Sequence, residues 1–131
     1  MQLTLFLKRV LLLDAASCLG MGALLAPAAD VLSPLFGLEP SLLFDAGVAL
    51  IPTGLFILWV GTRTQIRPLF VYLVIGGNFV WVLESLLLFP GAAEITGLGT
   101  AFVVAQAATV AGLALLEWIG VRRTRQTATP A

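Results

Sequence analysis

The seven basic residues of this 131-residue chain fall in only three places: Lys8 and Arg9, then Arg63 and Arg67, then Arg122, Arg123 and Arg125. Four long apolar stretches lie between these clusters, two in each gap. Lys and Arg collect on the cytoplasmic side of a membrane because moving a cation across against the insertion machinery and the membrane potential is unfavourable. With cations before the first crossing, after the second and after the fourth, the pattern predicts four transmembrane helices with both termini inside.

Composition agrees with that class. Apolar residues make up 60% of the chain and charged residues 11%, against roughly half and a quarter in a soluble domain. The length accommodates four spans of about 20 residues and leaves nothing for a second domain. The expected fold is therefore an all-α, polytopic four-helix bundle over residues 1–121, with helices at about 10–27, 41–61, 68–89 and 94–120. A basic cytoplasmic tail, 122–131, is expected to be disordered beyond Arg125. Prolines set several boundaries because they lack an amide donor and restrict the preceding residue. Pro27, Pro34 and Pro40 are expected to break the chain between the first two helices, Pro68 opens the third, and Phe89-Pro90-Gly91 closes it.

Lys8-Arg9, the apolar run Val10 to Leu25 and Ala26-Pro27-Ala28 have the order of a signal peptide. Asp14 interrupts the apolar core, so the segment is expected to remain as a helix. Two inner helix ends look alike, Trp59-Val60-Gly61-Thr62-Arg63 and Trp118-Ile119-Gly120-Val121-Arg122. They are read either as a duplicated pair of parallel helical hairpins or as the aromatic-then-basic boundary of any inner membrane interface.

Helices in lipid gain nothing from excluding water, so close packing depends on small side chains. On the fourth helix the stripe Ala101, Ala105, Ala108 and Gly112 is expected to face its neighbours, with Gly20, Gly22, Ala23 and Gly76-Gly77 as facing surfaces.

Ionisable groups within the spans carry the functional argument, because each costs at least ~2.5 kcal/mol in hydrocarbon unless it finds a partner, a proton or water. Asp14 and Glu117 are placed about one turn inside the cytoplasmic ends of helices one and four, where ion pairing with Arg9, Arg122 and Arg123 accounts for them. The outer half holds no basic residue at all. Asp45 and Glu84, beside the loop acids Glu39 and Glu94, are therefore expected to be hydrated, protonated or cation-bound. One reading gathers Asp45, Glu84, Asn78, Gln106 and Trp81 into an acidic vestibule opening outward; the other makes Asp45 a headgroup contact, Glu84 a neutral acid and the Asn78–Gln106 pair interhelical glue.

Catalytic and metal signatures are missing. The chain has no His and one Cys, no nucleophile elbow, no zinc-peptidase motif and no phosphate loop. No cofactor, metal site or catalytic residue is expected, and no block of like charge suggests nucleic acid.

Arg9-x4-Asp14-Ala15-Ala16, Leu50-Ile51-Pro52, Asn78-x2-Trp81, Gly99-x2-Phe102-Val103-x-Ala105-Gln106-Ala107 and Glu117-Trp118 together resemble a group of small bacterial four-helix membrane proteins to which no activity is attached. The chain is also similar, in length and helix count, to DoxX-like proteins. The first resemblance implies fold and a place in the bacterial cytoplasmic membrane, and no more. The expected function is a non-enzymatic bundle in the lipid bilayer, acting as an accessory, scaffold or partner-binding subunit. The alternatives are a small proton- or cation-coupled carrier or channel subunit, as a homo-oligomer or with another membrane protein, and a lipid-binding or lipid-modifying protein.

Overall fold

A computed structural model describes residues 1–88 and 94–128. Within them the chain forms four helices: α1 (Leu5–Phe36), α2 (Pro40–Thr62), α3 (Pro68–Leu88) and α4 (Gly97–Ala128). All four are long and apolar enough to cross a bilayer, and the chain is a multi-pass, all-α membrane protein. The expected stop at Phe89-Pro90-Gly91 and the last tail residues, 129–131, lie outside the described residues.

The outer two helices are longer than the sequence suggested. α1 begins at Leu5 rather than near Val10, where Thr4 caps it by accepting a hydrogen bond from the Leu7 amide at 3.2 Å. It then runs through both Pro27 and Pro34 and ends at Gly37, whose φ of 68° puts it in the left-handed region and whose amide bonds the Ser33 carbonyl at 2.9 Å. Proline is tolerated inside an apolar helix because a broken backbone bond in lipid has no better alternative than the remaining helix. α4 starts three residues later than expected and continues helically through Arg122–Arg125 to Ala128, so most of the expected tail is an extension of the last helix.

α1 and α2 form the tightest pair. Gly47, Gly54 and Gly61 recur every seven residues on α2, and each is buried against α1. A Cβ on Gly47 would stand 2.6 Å from the Ala26 amide nitrogen, and one on Gly54 would stand 2.7 Å from Leu19 Cγ. Gly22 of α1 meets α2 as closely, 2.8 Å from the Gly47 carbonyl oxygen. The backbones approach as far as glycine permits, which is how dispersion holds helices together in lipid. α3 packs on α4, α4 on α1, and α2 scarcely touches α3.

The small-residue stripe expected on α4 does not face the bundle. Ala101, Ala105 and Ala108 are exposed, and Gly112 has nothing within 4 Å of where a Cβ would be. The buried face instead carries Val103, Ala107, Ala114, Glu117 and Val121. α4 is rich in small residues on every side, so their spacing alone did not identify the inward face. Gly20, Gly76 and Gly77 likewise stand in open space.

The basic end is clasped shut. The Leu3 and Ile66 amides donate to the Thr64 and Met1 carbonyls at 3.0 and 2.9 Å, joining the N-terminal segment to the α2–α3 turn. Beneath this clasp Leu7, Leu11, Val60, Val71 and Val121 are almost wholly buried. Around it stand Trp59, Phe70, Tyr72 and Trp118 in ring contact, with the Arg63 guanidinium over Trp59 at 5.8 Å and that of Arg123 over Phe6 at 5.4 Å. Aromatic rings with arginines at one level are the mark of a membrane interface.

Candidate functional site: a carboxyl pair in the middle of the bundle

α3 is about 31 Å long at the helical rise, close to the thickness of the hydrocarbon layer. Asn78 stands at its midpoint, and its amide nitrogen donates to two carboxyls at once: Asp14 Oδ2 of α1 at 2.6 Å and Glu117 Oε1 of α4 at 2.8 Å. Asp14 is 1% exposed and Glu117 0%. The Cys18 thiol, one turn along α1, reaches Asp14 Oδ1 at 3.7 Å. Among the described residues Glu117 Oε2 is buried with no hydrogen-bond partner, and the Asp14 carboxyl is close enough to interact with that of Glu117.

This overturns the expectation that Asp14 and Glu117 pair with Arg9, Arg122 and Arg123. Those arginines are exposed at the basic end, and among the described residues neither acid has a cationic partner. The cause is depth. Because α1 starts at Leu5 and α4 ends at Ala128, Asp14 lies about two and a half turns inside its helix and Glu117 about three turns from the end of its own.

The expected acidic vestibule does not form. Asp45 and Glu84 are both exposed on the outside of the bundle, where α2 and α3 turn them away from the core. Asn78 and Gln106 do not bond each other. Gln106 instead accepts from Trp81 Nε1 at 2.8 Å and donates to Ser85 Oγ at 2.9 Å and to the Val103 carbonyl at 3.1 Å. Trp81 and Gln106 thus do belong to a polar cluster, about one helical turn from Asn78 towards the acidic end.

Cavities flank both clusters. One of about 170 Å³ lies in the gap between α2 and α3, with Asn78, Cys18 and Trp81 among its walls. A second, about 90 Å³, shares Cys18 and Trp81 with the first and extends to Gln106 and Thr109. Gly54 packs on the Cys18 side, and Asp45, the one charged residue of α2, is exposed, so α2 presents no charged group to the carboxyl pair. No group of His, Cys, Asp and Glu among the described residues is arranged to hold a metal ion.

The signal for the carboxyl pair was present in the sequence as two acids within apolar runs and an asparagine centred in a third. The signal for the α1–α2 interface was the seven-residue glycine spacing on α2. Comparison with protein-family models, curated proteins and solved structures returns no match.

Proposed function

We propose that this protein is a proton-coupled membrane protein, a small carrier or channel subunit whose Asp14–Glu117 pair takes up and releases a proton in mid-membrane. It acts without catalysis of covalent chemistry, in the bacterial cytoplasmic membrane, with its basic end on the cytoplasmic side. The observation that carries this reading is the unsatisfied Glu117 Oε2 in a pair of buried carboxyls level with the middle of α3, with one shared amide and, among the described residues, no cation. An amide supplies two N–H groups, and both are already used. Two carboxylates at this depth without a counter-ion are costly, and a proton between them removes one charge and provides the missing donor. Buried acids that bind a proton in this way are the working parts of proton relays.

The test is infrared spectroscopy of the reconstituted protein through a pH titration. A protonated-carboxyl C=O band that shifts or disappears in Asp14→Asn and Glu117→Gln supports the reading. Absence of any such band across the titration, or a band indifferent to both substitutions, removes it.

A second reading is an accessory or scaffold subunit that docks another membrane protein, or another copy of itself. Its support is the outward position of Ala101, Ala105 and Ala108 on α4, where small side chains let another helix approach. Loss of co-purifying partners, or of self-association, when these three are replaced by Leu would support it; unchanged association would not.

A further inference from the structure

We propose that the cavities of this bundle form a one-sided half-channel for protons, leading from the end that bears Glu39 and Glu94 to the Asp14–Asn78–Glu117 cluster and stopping there. The inference rests on the proton-binding reading of that cluster and adds the route and its selectivity.

Continuity is the first argument. The cavity at Asn78 and the one at Gln106 share Cys18, Leu50, Trp81 and Val110. A third cavity, about 20 Å³, shares Met21, Trp81 and Gln106 with the second and reaches Leu38 and Leu42. Those two leucines also line an open funnel of about 690 Å³ whose rim carries Glu39 and Glu94. Four spaces therefore follow one another from the surface to the middle of the bundle, each sharing a wall with the next.

Closure is the second. On the basic side of Asn78 the same cavity ends against Phe56, Ile57, Leu73 and Val74; beyond them Leu7, Leu11, Val71 and Val121 are almost wholly buried, and the Met1–Leu3 segment is bonded across the α2–α3 turn. The cavity at Asn78 also opens sideways between α2 and α3, where Thr53, Leu73 and Gly77 are exposed; in a bilayer that side meets hydrocarbon, so water enters from the acidic end.

Selectivity follows from size and charge. The narrow space beside Trp81 and Gln106, about 20 Å³, exceeds the ~10–15 Å³ that one water needs, falls far short of a metal ion with its hydration shell, and offers that water the Trp81 and Gln106 side chains as polar partners in an otherwise apolar wall. A proton passes on that single water; a hydrated cation does not. The funnel rim, with carboxylates and no basic residue in that half of the chain, raises the local concentration of positive charge. At the inner end, Cys18 and Asn78 line the space and both bond Asp14. A hydronium ion there gives a proton to the Cys18 sulfur and is left as water while the thiol's own proton passes to Asp14 Oδ1, which it already faces at 3.7 Å; the thiol is restored, and the proton is then shared within the Asp14–Glu117 pair. Trp81 and Gln106 are positioning residues: their mutual bond and that to Ser85 hold the constriction at the width of one water.

Cys18, the chain's single cysteine, makes this testable without engineering a probe. The full chain is placed in membrane vesicles of both orientations and exposed to a bulky, membrane-impermeant trimethylammonium methanethiosulfonate. Glu39→Cys in a Cys18→Ser background marks the compartment facing the acidic end. Cys18 is expected to resist the reagent in the unaltered protein. In Trp81→Ala, with Gln106→Ala as a second opening variant, it should react at least about tenfold faster, and only from the acidic-end compartment. Reaction from the basic side, reaction with a lipid-soluble maleimide alone, or no gain in either folded variant would overturn the half-channel. The infrared carboxyl band of the same samples separates the two claims. A band present with wrong-sided labelling leaves the proton site standing without this route, whereas no band defeats both.

Discussion

Asp14 and Glu117 accept hydrogen bonds from one nitrogen, Asn78 Nδ2, at 2.6 and 2.8 Å, so a single amide on α3 ties α1 to α4 at the centre of the bundle. An amide suits this place better than a cation would. It satisfies one oxygen of each acid without fixing their total charge, so the pair can gain or lose a proton while the helices stay joined. Asn78→Leu removes both donors and leaves two carboxyl oxygens buried without partners. Stability should fall by about 1–3 kcal/mol, the cost of stranding buried acceptors. Reversible unfolding of the detergent-solubilised protein measures it, and a smaller loss when Asp14→Asn and Glu117→Gln are added would show that the stranded acids are the cause.

The glycines on α2 should respond unequally to one added methyl group. Gly47→Ala pushes a Cβ against backbone, the Ala26 amide nitrogen at 2.6 Å, whereas Gly54→Ala meets the Leu19 side chain, which can turn away. Overpacking of this kind costs about 1–3 kcal/mol. Gly47→Ala is expected at the upper end and Gly54→Ala at the lower. Gly76→Ala, in open space on α3, should gain about 0.5–1 kcal/mol from helix propensity. Three unfolding midpoints in that order check the interface; equal losses at all three would not fit it.

Coupling between Trp81 and Gln106 is open to a double-mutant cycle. Trp81→Phe keeps an aromatic ring and removes only the N–H that Gln106 accepts. Gln106→Leu removes the acceptor and also frees Ser85. Interhelical hydrogen bonds in membranes are worth about 0.6 kcal/mol on average. The double variant should therefore fall short of the two single losses added together by that amount. Strict additivity would mean that the two side chains merely lie near each other.

Helix number, helix type and the grouping of all cations at one end were legible in the sequence because hydropathy and charge are local quantities. Depth was not. It depends on where a helix starts: Lys8, Arg9, Arg122 and Arg123 have the look of helix-end marks but lie within α1 and α4, where long side chains reach the interface from inside the last turns. Moving those ends outward carried Asp14 and Glu117 from the helix ends to the level of Asn78, the midpoint of α3. Which face of a helix points inward was equally hidden, since α4 offers small residues all round and α2 and α3 are apolar on every side. Asp45 and Glu84 were drawn together by their shared leaflet, and nothing in a single sequence states that their helices turn them outward.

That outward position gives the last prediction. Asp45 and Glu84 are exposed, with no buried contact to lose, so Asp45→Asn and Glu84→Gln should each change stability by no more than about 0.5 kcal/mol. They should also leave the protonated-carboxyl band of the reconstituted protein where it is, because neither side chain touches the Asp14–Asn78–Glu117 cluster. Asp14→Asn and Glu117→Gln remove the same formal charge from the same kind of helix, and they should alter the band. The two sets differ only in burial and partners. A band that moved with Asp45 or Glu84, and stayed with Asp14 and Glu117, would relocate the proton-binding group to the outer surface and restore the acidic vestibule at the expense of the central pair.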